Sequence, residues 1–246
     1  MNEPTEIWEP LREVLREARR QGHGVQFWLR DDDAVEPTPA LDRLLNLCDE
    51  WRVPLVLAVI PQPTGNALAD RLAAFNTVSV AVHGWAHLNH ALPGEKKQEL
   101  GRHRPASTII GELREGLEKL KGLYGSRAIP MLVPPWNRID PDLVPRLKDA
   151  GFTTLSTYGP KKMRDVQVMN STVDVIDWHG TRGCVDHARL VGQIVQQVRS
   201  GETIGILTHH LVHDEAVWLF LQRLFDTTRA YNVEWLSSEK LLKSPE

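Results

Sequence analysis

The feature that most constrains this chain is a repeated switch in the period of its apolar residues. Val25, Phe27 and Leu29 alternate over 25–30, which reads as a strand. Leu41, Leu44, Leu45 and Cys48 then recur at helical spacing over 39–52, and a continuous apolar run follows at 55–60. The same exchange continues to the end of the sequence. Helices are predicted at 66–75, 107–123 (Ser107 as N-cap), 141–150, 185–198 and 215–229, and strands at 78–82, 129–133, 153–157, 173–176, 203–207 and 233–236. Residues 93–105 are polar and punctuated by Gly and Pro, so they read as a loop. Strands separated by helices pair in parallel through right-handed crossovers. Asp31, Asp32, Asp33, His83, Trp136, Asp177 and His209 all fall just past the carboxyl ends of predicted strands. Such convergence on one rim favours a closed (β/α) barrel over an open sheet.

Composition narrows the function. Of 246 residues, 41% are hydrophobic and 25% charged, the balance of a globular protein. A net charge of −3 offers no basic excess for a phosphate backbone, so no nucleic acid partner is expected. The longest apolar runs are too short to span a bilayer, and the charged opening residues lack the apolar segment of a secretory signal, so a cytoplasmic location is expected. Two isolated cysteines, Cys48 and Cys184, make no disulfide framework and read as buried thiols. With no linker or repeat, residues 1–246 read as a single domain. Its opening helix, 4–21, packs Ile7, Leu11, Val14, Leu15 and Ala18 on the barrel. Monomer and oligomer are both compatible with this pattern.

Three groups of polar residues carry chemistry. His83-Gly84-Trp85-Ala86-His87 directly follows a buried strand, and a spacing of four lets two imidazoles meet one ion if the turn is helical. Alone, the pair reads equally well as two hydrogen-bonded loop histidines. Three adjacent aspartates at 31–33 repel one another unless they share a cation or a proton. One carboxylate with two imidazoles makes a three-ligand site with an open position for water. His209, followed by His210 and His213, ends another strand and suits acid–base work near neutrality. Asp177, at a further strand end, could fix the tautomer of such a histidine.

In this order the motifs resemble those of the polysaccharide deacetylase (NodB-homology, carbohydrate esterase family 4) superfamily. That family carries T-F-D-D-G, H-S/T-x-x-H, R-P-P-Y/W, D-x-x-D-W and L-x-H. Here stand Leu29-Arg30-Asp31-Asp32-Asp33-Ala34, His83-Gly84-Trp85-Ala86-His87, Val133-Pro134-Pro135-Trp136, Asp174-Val175-Ile176-Asp177-Trp178 and Leu207-Thr208-His209. The resemblance implies a distorted (β/α)7 barrel of NodB-homology type and removal of an N-acetyl (or O-acetyl) group from a carbohydrate or related small amide. It implies one divalent ion, Zn²⁺ by preference, on Asp33, His83 and His87. It makes Asp32 the general base on a metal-activated water, His209 the general acid and Asp177 the carboxylate that orients it. Pro135 and Trp136 line the acyl pocket, with Asp31, Arg138 and Trp178 as further substrate contacts.

Departures from the family pattern leave alternatives open. Two registers fit the three aspartates: Asp32 as base with Asp33 as ligand, or Asp31 and Asp32 in those roles with Asp33 in place of the glycine. Val133 replaces an arginine that contacts the catalytic aspartate, a duty that Arg30 or Arg138 could take over. His210 rivals His209 as the acid. Trp85 adds to the aromatic character of the pocket, Asn89 and His90 are minor ligand candidates, and Asp174 reads as structural. Beside the metal-dependent hydrolase stand a metal-independent amide hydrolase of the same fold and an inactive carbohydrate- or metabolite-binding protein.

Overall fold

The structure, a computed structural model, describes residues 5–160, 166–231 and 233–243. After a 3₁₀ turn at Thr5–Trp8 come α1 (Glu9–Arg20), β1 (Gln26–Ala34), α2 (Pro39–Trp51), β2 (Leu55–Val59), α3 (Asn66–Leu72), β3 (Val78–His83), α4 (Ala106–Tyr124) and β4 (Ala128–Val133). The second half holds β5 (Thr154–Leu155), β6 (Gln167–Val168), β7 (Val173–Asp174), α5 (His187–Ser200), β8 (Ile204–Thr208), α6 (Glu215–Ala230), β9 (Glu234–Trp235) and α7 (Ser238–Leu242). Strand pairing is parallel, in the order β6-β5-β4-β3-β2-β1-β8-β7, with β9 added at the start of β1.

One stretch of chain completes the ring. Met169 and Ser171 donate to the carbonyls of Leu155 and Thr157, whereas Thr172 and Val175 donate to Gly205 and Leu207. The segment therefore leaves β5 and arrives at β8, giving a distorted seven-stranded barrel. Gly205 permits that closure, because a Cβ there would lie 2.7 Å from the Cα of Ser171 and 2.5 Å from Trp28 Nε1.

Side chains alternate between the barrel interior and the helical layer. Trp28, Val56, Ala58, Ala81, Ile129, Met131 and Val133 fill the interior, closed from the amino-terminal end by Leu236 and Leu241. Phe27, Leu29, Leu55, Leu57, Val80 and Val82 point outward into the larger core shared with the helices. On β1 this parity sends Arg30 and Asp32 inward and Asp31 outward. A register break between Asp31 and Ala34, with Asp33 at φ 71°, ends the alternation.

Several elements differ from expectation for identifiable reasons. β1 runs on through all three aspartates to Ala34 because each finds a partner there. The 141–150 stretch is a run of 3₁₀ turns, since Pro145 lacks the N–H that an α-helix needs. α4 starts at Ala106 behind Pro105, so Ser107 is not its cap. α5 begins two residues late, where the Asp186 side chain accepts from the Arg189 N–H. The expected strands 153–157 and 173–176 shorten to two residues each. β6 and α7 were not read from the sequence. The opening helix becomes the 3₁₀ turn plus α1, which packs on α5, with Trp8 5.4 Å from the Phe220 ring; Pro4 lies outside the described residues. Cys48 is buried as expected, but Cys184 is only partly so.

Candidate active site

The carboxyl ends of β1, β3, β4, β7 and β8 converge on a cavity of about 750 Å³ lined by Asp32, Asp33, His83, His87, Trp136 and His209, among others. Asp33 lies at its floor because the left-handed backbone turns its carboxylate toward β3. His83 Nε2 is 2.9 Å from Asp33 Oδ1, and His87 Nε2 is 3.3 Å from the same oxygen. One donor atom from each of the three residues lies within 4.8 Å of the others. His83 Nδ1 donates to the Val133 carbonyl at 3.0 Å, which leaves Nε2 directed at the cluster. Burial opposes charge on Asp33, but its bond to His83 and the charges of His83, His209 and His87 hold its pKa below the usual carboxylate range. Burial and the neighbouring His83 push His87 down, toward the neutral imidazole that a metal requires.

The loop bearing the two histidines is fixed by Glu99, a residue the sequence reading passed over. Its buried carboxylate accepts the N–H groups of Trp85 (3.1 Å) and Ala86 (2.8 Å), with a longer bond from Leu88 (3.4 Å). Gly84 is required there: at φ 61°, a Cβ would fall 2.0 Å from Glu99 Oε2 and 2.6 Å from Pro135. His87 (φ 56°) and Trp136 (φ 55°) also hold left-handed backbone, and their rings meet at a tilt of 56° with centroids 4.4 Å apart.

Asp32 stands beside this cluster with its carboxylate gripped by Arg30. Arg30 Nε is 2.9 Å from Oδ1, and Nη2 donates to Oδ2 at 3.0 Å. The same guanidinium donates to Ser156 Oγ (2.7 Å) and Asn137 Oδ1 (3.1 Å). Arg30 thus provides the cation beside Asp32, while Val133 fills the barrel and Arg138 Nη1 turns to the Lys97 carbonyl at 2.9 Å. Across the cavity, His209 Nε2 is 3.9 Å from Asp32 Oδ2. The Trp178 ring meets His209 edge-on at 4.7 Å, and its Nε1 donates to Asp174 Oδ2 at 2.9 Å.

Some expected site residues lie elsewhere. Asp31 is not a substrate contact: it is fully buried on the helical side, bonded to His210 Nδ1 (2.5 Å), the His210 N–H (2.8 Å) and Thr208 Oγ1 (2.5 Å). That burial also removes Asp31 from the base-and-ligand pair, and it removes His210 from the acid role. Asp177 lines the cavity, where its Oδ2 accepts from the Thr181 N–H, and Asp174 lines it too, accepting from Trp178 Nε1. Pro135 is buried under Gly84 rather than open to the cavity. Trp85 packs toward Gly116 of α4, and Asn89 caps its own loop through the Ala91 and Gln98 N–H groups. Trp136, Arg138 and Trp178 do line the cavity.

No family model matches the sequence, and no curated protein does. Solved structures match along most of the chain. The peptidoglycan deacetylase PdaC from Bacillus subtilis is 15% identical and covers 89% of this chain and 90% of its own, with a TM-score of 0.59. A family 4 carbohydrate esterase from Streptomyces lividans, solved with acetate, is 16% identical over 86% of this chain and 90% of its own, with a TM-score of 0.57. A polysaccharide deacetylase from Bacillus cereus is 17% identical, covers 90% of this chain and 95% of its own, and has a TM-score of 0.58. The chain therefore has the (β/α)7 fold of the polysaccharide deacetylases. Among the described residues, no helix is long and apolar enough to cross a membrane.

Proposed function

We propose that this chain is a metal-dependent hydrolase of the polysaccharide deacetylase superfamily, removing an N-acetyl (or O-acetyl) group from a carbohydrate or a related small amide. The observation that carries this reading is the meeting of Asp33, His83 and His87 at 4.8 Å or less, directly beside the Asp32–His209 pair. Their one-oxygen, two-nitrogen donor set, with the spare nitrogen of His83 already bonded to Val133, suits Zn²⁺. When bound, such an ion polarises an amide carbonyl and brings the pKa of water toward neutrality. An N-acetyl carbonyl is a weak electrophile, so both effects are needed.

The remaining duties fall to the chain itself. Asp32 takes the proton of the attacking water on its carboxylate, while Arg30 holds that carboxylate in place. His209 gives a proton to the departing nitrogen, since an amide anion is far too basic to leave unprotonated. The 3.9 Å between His209 Nε2 and Asp32 Oδ2 sets base and acid facing each other. Asp174 accepts from Trp178 Nε1 and so holds the Trp178 ring edge-on against His209. Trp136, tilted against His87, walls the acyl end.

Acetate release from N-acetylated sugars and small amides, measured with and without a chelator, tests the reading. Activity should vanish on metal removal and return with Zn²⁺. Metal content should drop from near one equivalent to near none in the His83→Ala/His87→Ala double variant. Chelator-resistant turnover, or metal retained in that variant, would sink the proposal.

A further inference from the structure

Resting on the deacetylase reading, the geometry points to a subsite for an anionic group on the substrate: we propose that Arg182 and Arg189 bind a phosphate or carboxylate carried by the acetylated sugar. Both arginines line the cavity that holds Asp32, Asp33 and His209, on the side of Trp178.

The charges around the cavity are unevenly engaged. Each of its acids has partners: Asp32 has Arg30, Asp33 has two histidines, Asp174 has the Ile176 N–H and Trp178 Nε1, and Asp177 has the Thr181 N–H. Among the described residues, neither the Arg182 nor the Arg189 guanidinium has an ion pair or hydrogen bond. Arg43 and Arg102, by contrast, are neutralised by Glu215 and Asp140. Two guanidinium groups without an ion pair, lining one cavity of a chain of net charge −3, offer positive charge where a ligand enters.

The local backbone presents them there. Asp177 accepts the Arg182 N–H on its carbonyl and the Thr181 N–H on its carboxylate, which pins a turn with Arg182 at φ 60°. Arg189 lies in the first turn of α5, and Gln193 follows one turn later on the same helix face. Gln193 supplies an independent sign of a ligand. It lines the same cavity, and its buried Oε1 has no hydrogen-bond partner among the described residues. An acceptor left unmatched beside two free forked donors suits a sugar hydroxyl next to an oxyanion. At about 750 Å³, the cavity has room for such a group beyond the acetamide.

The test compares acetate release from N-acetylglucosamine, N-acetylmuramic acid and N-acetylglucosamine 1-phosphate by the metal-loaded wild type and the Arg182→Gln/Arg189→Gln double variant. Calorimetric binding of N-acetylglucosamine 1-phosphate is measured on both proteins. The ratio of kcat/KM for the preferred anionic sugar over the neutral one should fall about tenfold or more in the variant. The wild-type preference should fade when salt rises from about 0.05 to about 0.5 M. The carboxylate and phosphate sugars distinguish the two sources of charge. Equal wild-type turnover of neutral and anionic sugars, or a preference unchanged in the variant, overturns the subsite and leaves the deacetylase reading intact. Phosphosugar binding that the variant loses, with no acetate released from any sugar, keeps the anion site and removes the deacetylase reading. Binding that survives in the variant overturns the subsite in every case.

Discussion

Arg30 and Asp32 sit two residues apart on β1, project to the same interior face, and clasp each other with 0% and 3% of their side chains exposed. A buried pair of this kind adds little over apolar residues of the same shape, but breaking it strands a charge. Arg30→Leu should therefore destabilise the fold by about 3–5 kcal/mol in urea denaturation, and Arg30→Leu/Asp32→Asn should recover part of that loss. Additive losses in the double variant would mean that the two groups are not energetically coupled.

Glu99 touches neither histidine ring, yet its carboxylate fixes the backbone of the turn between them. Glu99→Ala should weaken metal affinity by about 10–100-fold in chelator competition, because outer-shell partners orient ligands. Glu99→Gln, which keeps part of the acceptor set, should lose less. Affinity equal to wild type in Glu99→Ala would show that the turn needs no clamp.

Asp174 and Asp177 stand at the same rim with different partners, Trp178 Nε1 for Asp174 and the Thr181 N–H for Asp177. Asp174→Ala should lower kcat about tenfold or more in acetate release, since Trp178 loses the acceptor that holds its ring against His209. Asp177→Asn keeps an acceptor for the Thr181 N–H and should leave kcat near the wild-type value. A larger loss in Asp177→Asn than in Asp174→Ala would give the supporting role to Asp177.

His213 gives the fold an acid sensitivity. Burial pushes its pKa down to about 4, and the ring packs edge-on to Trp218 at 4.4 Å with both nitrogens buried and unpartnered among the described residues. Between pH 6.5 and about 4 the unfolded chain takes up a proton that the folded one refuses, so stability falls as pH drops through that window. His213→Phe should shrink the loss in urea midpoint between pH 7 and pH 5. A loss as large as that of wild type would assign the acid sensitivity to other groups.

Much of this arrangement was legible in the sequence, because strand and helix periods differ and the polar residues interrupt them at strand ends. The alternation of Val25, Phe27 and Leu29 carried more than was taken from it. Continued by two residues, it sends Asp31 to the helical side and Arg30 and Asp32 to the interior, as the structure has them. Glu99 was hidden because a loop acid looks solvated until its backbone partners are known. β6 has two residues and no apolar run, and it exists only through pairing with Leu155 and its neighbour. The link from Asp174 through Trp178 to His209 depends on where Trp178 turns its ring nitrogen, which spacing does not encode.

Four neighbouring positions on β1 each face a separate partner: Arg30 holds Asp32, Asp31 anchors the backbone of His210, Asp32 looks across to His209, and Asp33 joins His83 at the end of β3 and His87 in the loop after it. Inserting or deleting a single residue ahead of them would rotate every side chain to the opposite face at once. This strand can thus be varied by exchange of side chains but not by change of length, so diversification of the catalytic rim is confined to the loops on the other strands.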